Sequence, residues 1–458
     1  MFKTNKITGI VAGAVLMLGA CKKLDDIKPE GLVDPSVAIT SETNVREVLI
    51  SGYLSLASGN FYGGRLQVVS ELMADKADGS GLLGYDADIY NLRSNSDAGT
   101  AEIYREPYRA IQRANLTLEN LDKVGAANKA RFEGEALFLR AVGHFELVRI
   151  FAQPYGYTSA NTHPGIVVRT NSAFNNNAAR NSVAEVYTQV VNDLNAAAAL
   201  LPAANGVFAS RWAAKGYLAK VFFQMNKFDS AYKHASDVIT GSGATFDNTA
   251  AFVTNRFGVT ATTENVFGLV QDAVSGARFG TLRGAIDATT IANLGLPLTT
   301  AAYNEGFVSN DKRSAWYWEN LGIKRLKKYF AERLTLPLVY ITEMKLIRAE
   351  SAAELNQNLA TAIGDINDII NRAYTVPAPL PGGATANIVL AKVREQRKLE
   401  LVYELGDRLQ QIKRIGAKGE ASFSRTAPWN CNGLILQFPA ADVSVNPNFQ
   451  PNPQGGCL

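Results

Sequence analysis

The chain has 458 residues, 47% of them hydrophobic, which is enough for a large core and for about two or three domains. Its 46 Lys and Arg residues against 42 Asp and Glu residues leave a net charge of only +4. Because the basic residues are also scattered, the composition argues against nucleic acid as a partner. The densest basic run, at positions 324–328, is interpreted as the solvated edge of a helix, with an anion site as the alternative.

The N-terminal residues have the layout of an export signal. Two lysines precede an uncharged apolar run at 7–20, which is too short for a permanent membrane-spanning helix. Leu18-Gly19-Ala20, directly before Cys21, is similar to a bacterial lipobox, in which the peptidase cuts before a lipidated cysteine. The sequence therefore predicts a lipoprotein signal peptide at 1–20, lipidation of Cys21, and a lipid-anchored tether at 21–40. The alternative is an ordinary signal peptide that is cut nearby, with Cys21 incidental.

Five alanine-rich segments of the first half have apolar residues at three- and four-residue steps, which predicts amphipathic helices. The segments are 98–123, 130–153, 182–201, 210–225 and 229–240. In the second of them, Gly143 belongs to a stripe of small and apolar residues that allows a neighbouring helix to approach closely.

The last two of these segments place small and apolar residues at the spacing of a tetratricopeptide repeat. The matching residues are Leu218, Ala219, Phe222, Ala231, Ala235 and Val238. The same spacing recurs between Ala349 and Ile369. Helical hairpins that cannot bury their faces alone favour a stacked superhelix, so the predicted fold is all-α, with about four tetratricopeptide-like helix pairs, long irregular insertions and a few short strands.

Two stretches, 59–99 and 241–334, have little helical periodicity and are rich in Gly, Thr, Asn and isolated aromatic residues. Long irregular segments are usually functional or mobile, and an aromatic ring offers a flat apolar face to a sugar. Neighbouring Asn and Arg side chains can hydrogen-bond the sugar hydroxyls. The candidate ligand residues are Tyr85, Tyr90, Asn91, Arg93, Trp316, Tyr317, Trp318 and Asn320. The alternative is that these aromatic residues are buried between loop and scaffold.

The sequence contains no motif for catalysis or metal binding. The three histidines form no zinc-type pair or Cys/His cluster, and no phosphate-binding loop or nucleophile elbow occurs. Glu71, Asp75 and Asp78 offer paired carboxylates of the kind that glycosidases use, but nothing in the sequence brings two of them to a working separation. A solvated or capping role is favoured for them. We therefore expect a binding protein rather than an enzyme, with no cofactor and no metal.

If Cys21 is lipidated, two cysteines remain, Cys431 and Cys457, in a tail rich in Pro, Asn and Gly. Disulfides persist in exported proteins, and a bridge across a loop of this size stabilises a fold by roughly 3 kcal/mol. We therefore expect a disulfide that staples the tail, with two free thiols as the alternative.

Several stretches, taken together and in order, carry a family resemblance. They are C-K-K-L-D-D-I-K-P-E-G from Cys21, Y-R-A-I-Q-R-A-N from Tyr108, G-E-A-L-F-L-R-A-V-G-H-F-E-L-V-R-I-F from Gly134, E-M-K-L-I-R-A-E-S-A-A from Glu343, R-E-Q-R-K-L-E-L-V-Y-E-L-G-D-R from Arg394, and N-P-N-F-Q-P-N-P from Asn446. The chain resembles the SusD/RagB-type nutrient-binding outer-membrane lipoproteins. The family often has Glu followed directly by Gly in this helix, whereas here Leu405 stands between Glu404 and Gly406. No family motif maps onto the candidate ligand residues.

The resemblance implies an N-terminal helical region of this family at 41–240, an irregular insertion with candidate ligand loops at 241–334, and a C-terminal family region with the stapled tail at 335–458. It also implies a lipid-anchored protein on the outer face of the outer membrane. Such a protein captures oligosaccharides and delivers them to a SusC-like TonB-dependent transporter, without catalysis. Two alternatives remain: a peptide-binding uptake lipoprotein of the RagB type, and a tetratricopeptide-like adaptor that binds another polypeptide.

Overall fold

The structure, a computed structural model, describes residues 39–95, 99, 101–173, 177–270, 295–329 and 334–457. Within these ranges the chain forms fifteen α-helices and six short strands, so the predicted all-α fold with a few short strands is confirmed. Cys21 and the predicted signal peptide lie outside the described residues.

The helices are α1 (Glu42–Leu56), α2 (Arg65–Met73), α3 (Gly84–Tyr90), α4 (Ala101–Glu119), α5 (Ala126–Phe151), α6 (Val183–Leu200), α7 (Arg211–Gln224), α8 (Phe228–Gly241), α9 (Phe252–Asn255), α10 (Thr300–Gly306), α11 (Ile341–Leu355), α12 (Leu359–Ala373), α13 (Ala386–Glu400), α14 (Asp407–Ala417) and α15 (Ala440–Ser444). The strands are β1 (Asn265–Val270), β2 (Tyr317–Asn320), β3 (Ile323–Leu326), β4 (Thr335–Tyr340), β5 (Phe423–Ser424) and β6 (Ala427–Pro428). They form three antiparallel pairs, β1 with β4, β2 with β3, and β5 with β6.

The helices pack side by side in four pairs. α1 packs on α4, α5 on α6, α7 on α8, and α11 on α12. Successive pairs touch through α4 with α5, α6 with α7, and α8 with α11. This run of contacts is the stacked tetratricopeptide-like arrangement that the residue spacing predicts. α13 then packs against α11 and α12 at the C-terminal end of the stack.

Local signals account for the positions of these helices. Ser182 caps α6 in a capping box, because its hydroxyl accepts from the Glu185 backbone N–H while the Glu185 carboxylate accepts from the Ser182 backbone N–H. Gly143 lets α5 approach α4, since a Cβ at this position would lie 2.7 Å from Ile111 Cγ1. The five helices predicted in the first half are present as α4 to α8, with ends that agree to within a few residues.

The two irregular stretches meet in a patch of strand-like pairing. The backbone N–H of Asp78 donates to Pro297 O at 2.8 Å. The next residue, Leu298, donates its N–H to Lys324 O of β3 at 2.8 Å. Segments more than two hundred residues apart in sequence are therefore neighbours in the fold.

A disulfide joins Cys431 to Cys457 in the C-terminal tail. The tail lies against the end of α5, where the Asn452 side-chain amide donates to Phe151 O at 2.7 Å. The ring of Phe438 stacks on that of Phe151 with 5.3 Å between centroids. The disulfide and these contacts together hold the C-terminal tail, which has almost no regular structure of its own, against α5.

Candidate ligand-binding surface

The β2–β3 hairpin carries three of the predicted ligand residues, and strand alternation places them on two faces. Tyr317 pairs with Leu326 across the hairpin and is only 4% exposed. Trp318 and Asn320 lie on the opposite face, where both are partly exposed. The outer face of the hairpin therefore presents Trp318 and Asn320 to solvent.

Trp316, directly before β2, is buried, with 1% of its surface exposed. Its indole N–H donates to Val253 O at 2.8 Å, and the Lys328 ammonium lies 4.1 Å from its ring centroid. A desolvated cation over an indole face is a favourable cation–π contact. Trp316 is thus part of the protein interior, and its ring has no exposed face to offer to a ligand.

The basic run at 324–328 does not form the predicted solvated helix edge. Its first three residues belong to β3, and the Lys328 ammonium is buried, where it donates to Glu400 O at 2.7 Å and pairs with Glu404. Burial lowers the pKa of Lys328 to about 8, although Glu404 acts in the opposite direction. The prediction is wrong because the acceptors come from the end of α13, which the sequence does not mark as a neighbour.

A buried ionic network centred on Glu400 supports the base of the hairpin. Glu400 Oε2 accepts from Arg256 at 2.7 Å and from Arg372 at 2.9 Å, while Oε1 accepts from Arg313 at 3.2 Å. Burial alone would raise the pKa of Glu400, but the three guanidinium groups hold it well below its usual range. Arg313 lies in the 3-10 turn that leads into β2. The network therefore holds the turn that precedes the hairpin.

The second group of predicted residues lies on α3 and just after it. Tyr85 and Tyr90 are half-buried, whereas Asn91 and Arg93 are exposed. The Arg425 guanidinium lies 4.6 Å from the ring centroid of Tyr90. One short helix and the residues after it thus bring all four predicted residues together.

Arg425 is a residue that sequence reasoning missed. It has a positive φ of 55° in the turn between β5 and β6. Its Nη1 donates to Leu72 O at 3.1 Å and to Ala74 O at 2.6 Å, and its Nη2 donates to Tyr90 O. The arginine thereby joins the end of α2 to the end of α3. No local pattern in the sequence indicates this contact, because the partners are more than 330 residues away.

The β2–β3 hairpin and α3 both adjoin the backbone pairing between residue 78 and the 297–298 segment. Gly79 lies against Tyr90, since a Cβ at Gly79 would be 2.4 Å from Tyr90 Cγ. The preceding residue, Asp78, pairs with the 297–298 segment, which in turn pairs with β3. The two groups of candidate residues are therefore on adjoining segments. We call their partly exposed members the aromatic surface: Tyr85, Tyr90, Asn91, Arg93, Trp318 and Asn320.

The three clustered carboxylates have different environments. Glu71 is completely buried, neither of its oxygens has a hydrogen-bond partner among the described residues, and burial followed by the nearby Asp75 charge raises its pKa to about 8. Asp75 accepts from Arg408 Nε at 2.7 Å, and this pairing outweighs burial and lowers the pKa of Asp75. Asp78 accepts from the Ser80 backbone N–H at 3.0 Å, which is an Asx turn and not a helix cap. A solvated role for Glu71 is wrong, because α2 packs against α14.

Two cavities are lined by other residues. One, of about 320 Å³, lies between α4, the segment 167–173 and α15, with Tyr104, Tyr108 and Phe449 in its wall. The other, of about 280 Å³, lies between α13, α14 and β5. No residue of the aromatic surface lines either cavity.

The described part of the chain holds no group of three or more His, Cys, Asp or Glu side chains arranged for a metal ion. His144 is buried, accepts from the Arg169 backbone N–H at 3.1 Å, and has a pKa lowered by burial to about 3. It is therefore a neutral packed residue. Among the described helices, none combines the length and the apolar character that crossing a membrane requires.

These features define a class of protein, a tetratricopeptide-like helical scaffold with aromatic residues on its insertions. A family model described as SusD-like, starch-binding and associating with the outer membrane matches residues 26–223. SusD-like protein P2 of Formosa agariphila is 23% identical to this chain, over 99% of this chain and 100% of the relative. The chain is similar to the SusD-like family, in agreement with the resemblance that its sequence motifs carry.

Solved structures agree with this assignment at the level of the fold. A SusD superfamily protein from Bacteroides thetaiotaomicron has a TM-score of 0.76 at 20% identity, over 90% of this chain and 100% of that chain. A laminarin-binding SusD-like protein has a TM-score of 0.70 at 18% identity, over 90% of this chain and 99% of that chain. At such identities the likeness shows the fold alone.

Proposed function

We propose that this chain is a cell-surface lipoprotein that binds oligosaccharides at the aromatic surface and does not catalyse their cleavage. The observation that carries the proposal is the partly exposed side chain of Trp318 near Asn320, on a hairpin that backbone pairing links, through the 297–298 segment, to the residues next to Tyr90. The match to a family model described as starch-binding and the likeness to a laminarin-binding protein support a glycan as the ligand class.

The chemistry of the aromatic surface suits a sugar. An indole or phenol ring packs against the C–H face of a pyranose, and such contacts do not require a charged ligand. The Asn320 and Asn91 amides can donate to and accept from hydroxyl groups, while Arg93 can donate. The indole N–H of Trp318 is buried and has no hydrogen-bond partner among the described residues, so the partly exposed ring, and not this N–H, is what Trp318 offers to a sugar.

The proposal is tested by replacing Trp318 with Ala in the chain without its first 21 residues. Binding to a panel of laminarin, starch and other polysaccharides is measured by affinity electrophoresis and calorimetry. Loss of the ring should weaken glycan binding about tenfold. Trp212→Ala is the matched control, because Trp212 is also half-buried but lies on α7, against Lys215 and Gly241.

The control variant should bind within about twofold of the wild type, and thermal unfolding should be similar for both variants. Equal binding by the Trp318 variant and the wild type would remove Trp318 from the site. Peptide binding without glycan binding would overturn the substrate class and favour a RagB-type uptake protein.

We further propose that Cys21 carries the lipid anchor and that the protein faces the exterior of the outer membrane. Cys21→Ala should release the protein from the membrane fraction, and protease treatment of intact cells should degrade the wild-type chain. Unchanged membrane retention of the variant would contradict the anchor.

The partner that we propose is a SusC-like TonB-dependent transporter, to which bound oligosaccharide is delivered. Co-purification from membranes should recover a large β-barrel protein with the chain, and deletion should impair growth on the bound glycan. Recovery of a different soluble partner, with normal growth, would favour a tetratricopeptide-like adaptor instead.

A further inference from the structure

The cavity between α13, α14 and β5 has an unusually basic wall. Its volume is about 280 Å³, and its mouth includes Phe423, which is 52% exposed. Five basic side chains and two acidic ones line it: Lys76, Arg394, Arg397, Lys398 and Arg408, with Asp407 and Glu420. A cavity of about 280 Å³ with charged side chains in its wall has room for a charged group and the atoms bonded to it.

Four of the five basic side chains already have a carboxylate partner. The pairs are Lys76 with Glu305, Arg394 with Glu354 and Glu420, Arg397 with Asp407, and Arg408 with Asp75. The two acidic residues of the wall are therefore both neutralised from within the protein. Neither carboxylate is left to balance a further cation.

Lys398 is that further cation. Its ammonium has no hydrogen bond or ion pair with any described residue, although its side chain is half-buried in the cavity wall. Burial, and then the neighbouring Arg408 charge, lowers the pKa of Lys398. A second donor of the wall is also unused: Arg397 is 3% exposed, and its Nη1 has no hydrogen-bond partner among the described residues.

The cavity adjoins the aromatic surface through one short hairpin. Phe423 of β5 lies in the cavity wall, and Arg425, two residues later, stacks on the ring of Tyr90. Two residues of fully extended chain span at most about 7 Å. A ligand that occupies the aromatic surface near Tyr90 is therefore close to this basic cavity.

We propose that this cavity binds an oxyanion group, a carboxylate or a sulfate, carried by an acidic oligosaccharide whose sugar rings lie on the aromatic surface. Hydrogen bonds between a cation and an oxyanion are about twice as strong as neutral ones, and Lys398 and Arg397 have free donors for them. The oxyanion would also supply the negative charge that the wall lacks. The identity of the ligand rests on the proposed glycan function, whereas the anion site itself does not.

The test uses free anions first. Sodium sulfate and sodium glucuronate are titrated calorimetrically into the chain without its first 21 residues, with sodium chloride as the ionic-strength control. The variants are Lys398→Gln, the charge-conserving Lys398→Arg, and Lys392→Gln. Lys392 is the matched control, because it lies on the same helix but pairs with Glu395 at 2.7 Å outside the cavity.

The wild type should bind sulfate or glucuronate, and the anion it prefers identifies the group. K398Q should weaken this binding at least tenfold, while K398R and K392Q should stay within a few fold. Binding no better than that of chloride, or equal losses in K398Q and K392Q, would overturn the site. Thermal unfolding of each variant shows whether a loss of anion binding comes from misfolding. If K398Q misfolds, binding by K398R still shows whether a positive charge at this position is sufficient.

Oligosaccharides then separate the two proposals. An oligogalacturonide and a sulfated galactan fragment should lose affinity in K398Q, whereas neutral laminari-oligosaccharides should bind it as they bind the wild type. Binding of neutral sugars with no binding of any anion would overturn the anion site alone. Binding of free anions that depends on Lys398, with no binding of any oligosaccharide, would overturn the glycan function alone.

Discussion

Two groups of charged residues, both of which draw on the end of α13, handle their charges in opposite ways. Around Glu400, four basic and four acidic side chains of the described region are buried together and matched. They are Arg256, Arg313, Lys328 and Arg372, with Glu264, Asp311, Glu400 and Glu404. Around α14, by contrast, three groups are unmatched among the described residues, although others, such as Arg408 with Asp75, are paired. Lys398 has no hydrogen bond or ion pair there, Glu71 has no hydrogen bond, and Lys413 donates only to a backbone carbonyl.

The paired charges around Glu400 and the unmatched charges around α14 have different uses. In the Glu400 network each carboxylate has a cation within ion-pair distance, so the pKa of Glu400 lies far below neutrality and the network acts as structure. In the α14 region the pKa of Glu71 is raised to about 8 and that of Lys413 is lowered to about 7, in both cases mainly by burial. Unmatched charges therefore titrate near neutral pH, where they respond to conditions and to ligands.

The largest effect should follow from breaking the matched network. Glu400→Gln leaves three buried guanidinium groups short of one negative charge, which should cost about 3–5 kcal/mol in the free energy of unfolding. Urea denaturation at pH 7 measures this loss. Glu395→Gln on the same helix changes an exposed carboxylate that pairs with Lys392 and accepts from the Gln396 amide, and it should cost less than about 1 kcal/mol. Similar losses in both variants would mean that the network does not stabilise the fold.

The next effect concerns Glu71 and its dependence on pH. Its folded-state pKa of about 8 lies above the value of about 4.3 in an unfolded chain. Its contribution to stability is therefore fully present below about pH 4 and is lost as the pH rises through about 8. Glu71→Gln does not ionise, so its stability relative to the wild type should rise by about 3–4 kcal/mol between pH 5 and pH 8.

Unfolding curves at several pH values measure this difference. Glu47→Gln on the exposed side of α1 is the control and should follow the wild type at every pH. A constant difference between the Glu71 variant and the wild type across this range would contradict a raised pKa.

A smaller effect of opposite sign is expected at Lys413. Its folded-state pKa of about 7 lies below the unfolded value of about 10.4, so its contribution to stability is present above about pH 10 and is lost as the pH falls through about 7. Lys413→Met cannot gain a proton and should be about 1–2 kcal/mol more stable than the wild type at pH 6. The gain should shrink towards pH 10. A variant that is less stable at both pH values would show that the bond from Lys413 to Arg149 O matters more than burial.

The smallest effect on stability should be at Lys398, since it has no partner to lose. Lys398→Gln should change the free energy of unfolding by less than about 0.5 kcal/mol. Lys328→Gln offers the contrast, because it removes the buried partner of Glu404 and should cost about 3 kcal/mol or more. If the two substitutions cost the same, Lys398 is a structural residue and the comparison between the two regions fails.

Trp316 and Trp318 show where sequence reasoning reaches its limit. Both stand in a segment without helical periodicity, and both were equally good candidates for a ligand site. The structure buries Trp316 against Lys328 and leaves Trp318 partly exposed on the hairpin. Local pattern could not separate them, because the cation that covers Trp316 is held by residues at the end of α13.

The sequence by itself determined the helices, their tetratricopeptide-like spacing and the similarity to the SusD-like family. These depend on local periodicity, caps such as Ser182, and motifs in a fixed order, all of which can be read along the chain. Only the tertiary structure decided which aromatic residues remain at the surface, which carboxylate is buried without a partner, and which lysine faces a cavity. Burial and charge matching depend on segments such as α2, α13 and α14, which are distant in sequence and meet only in the folded chain.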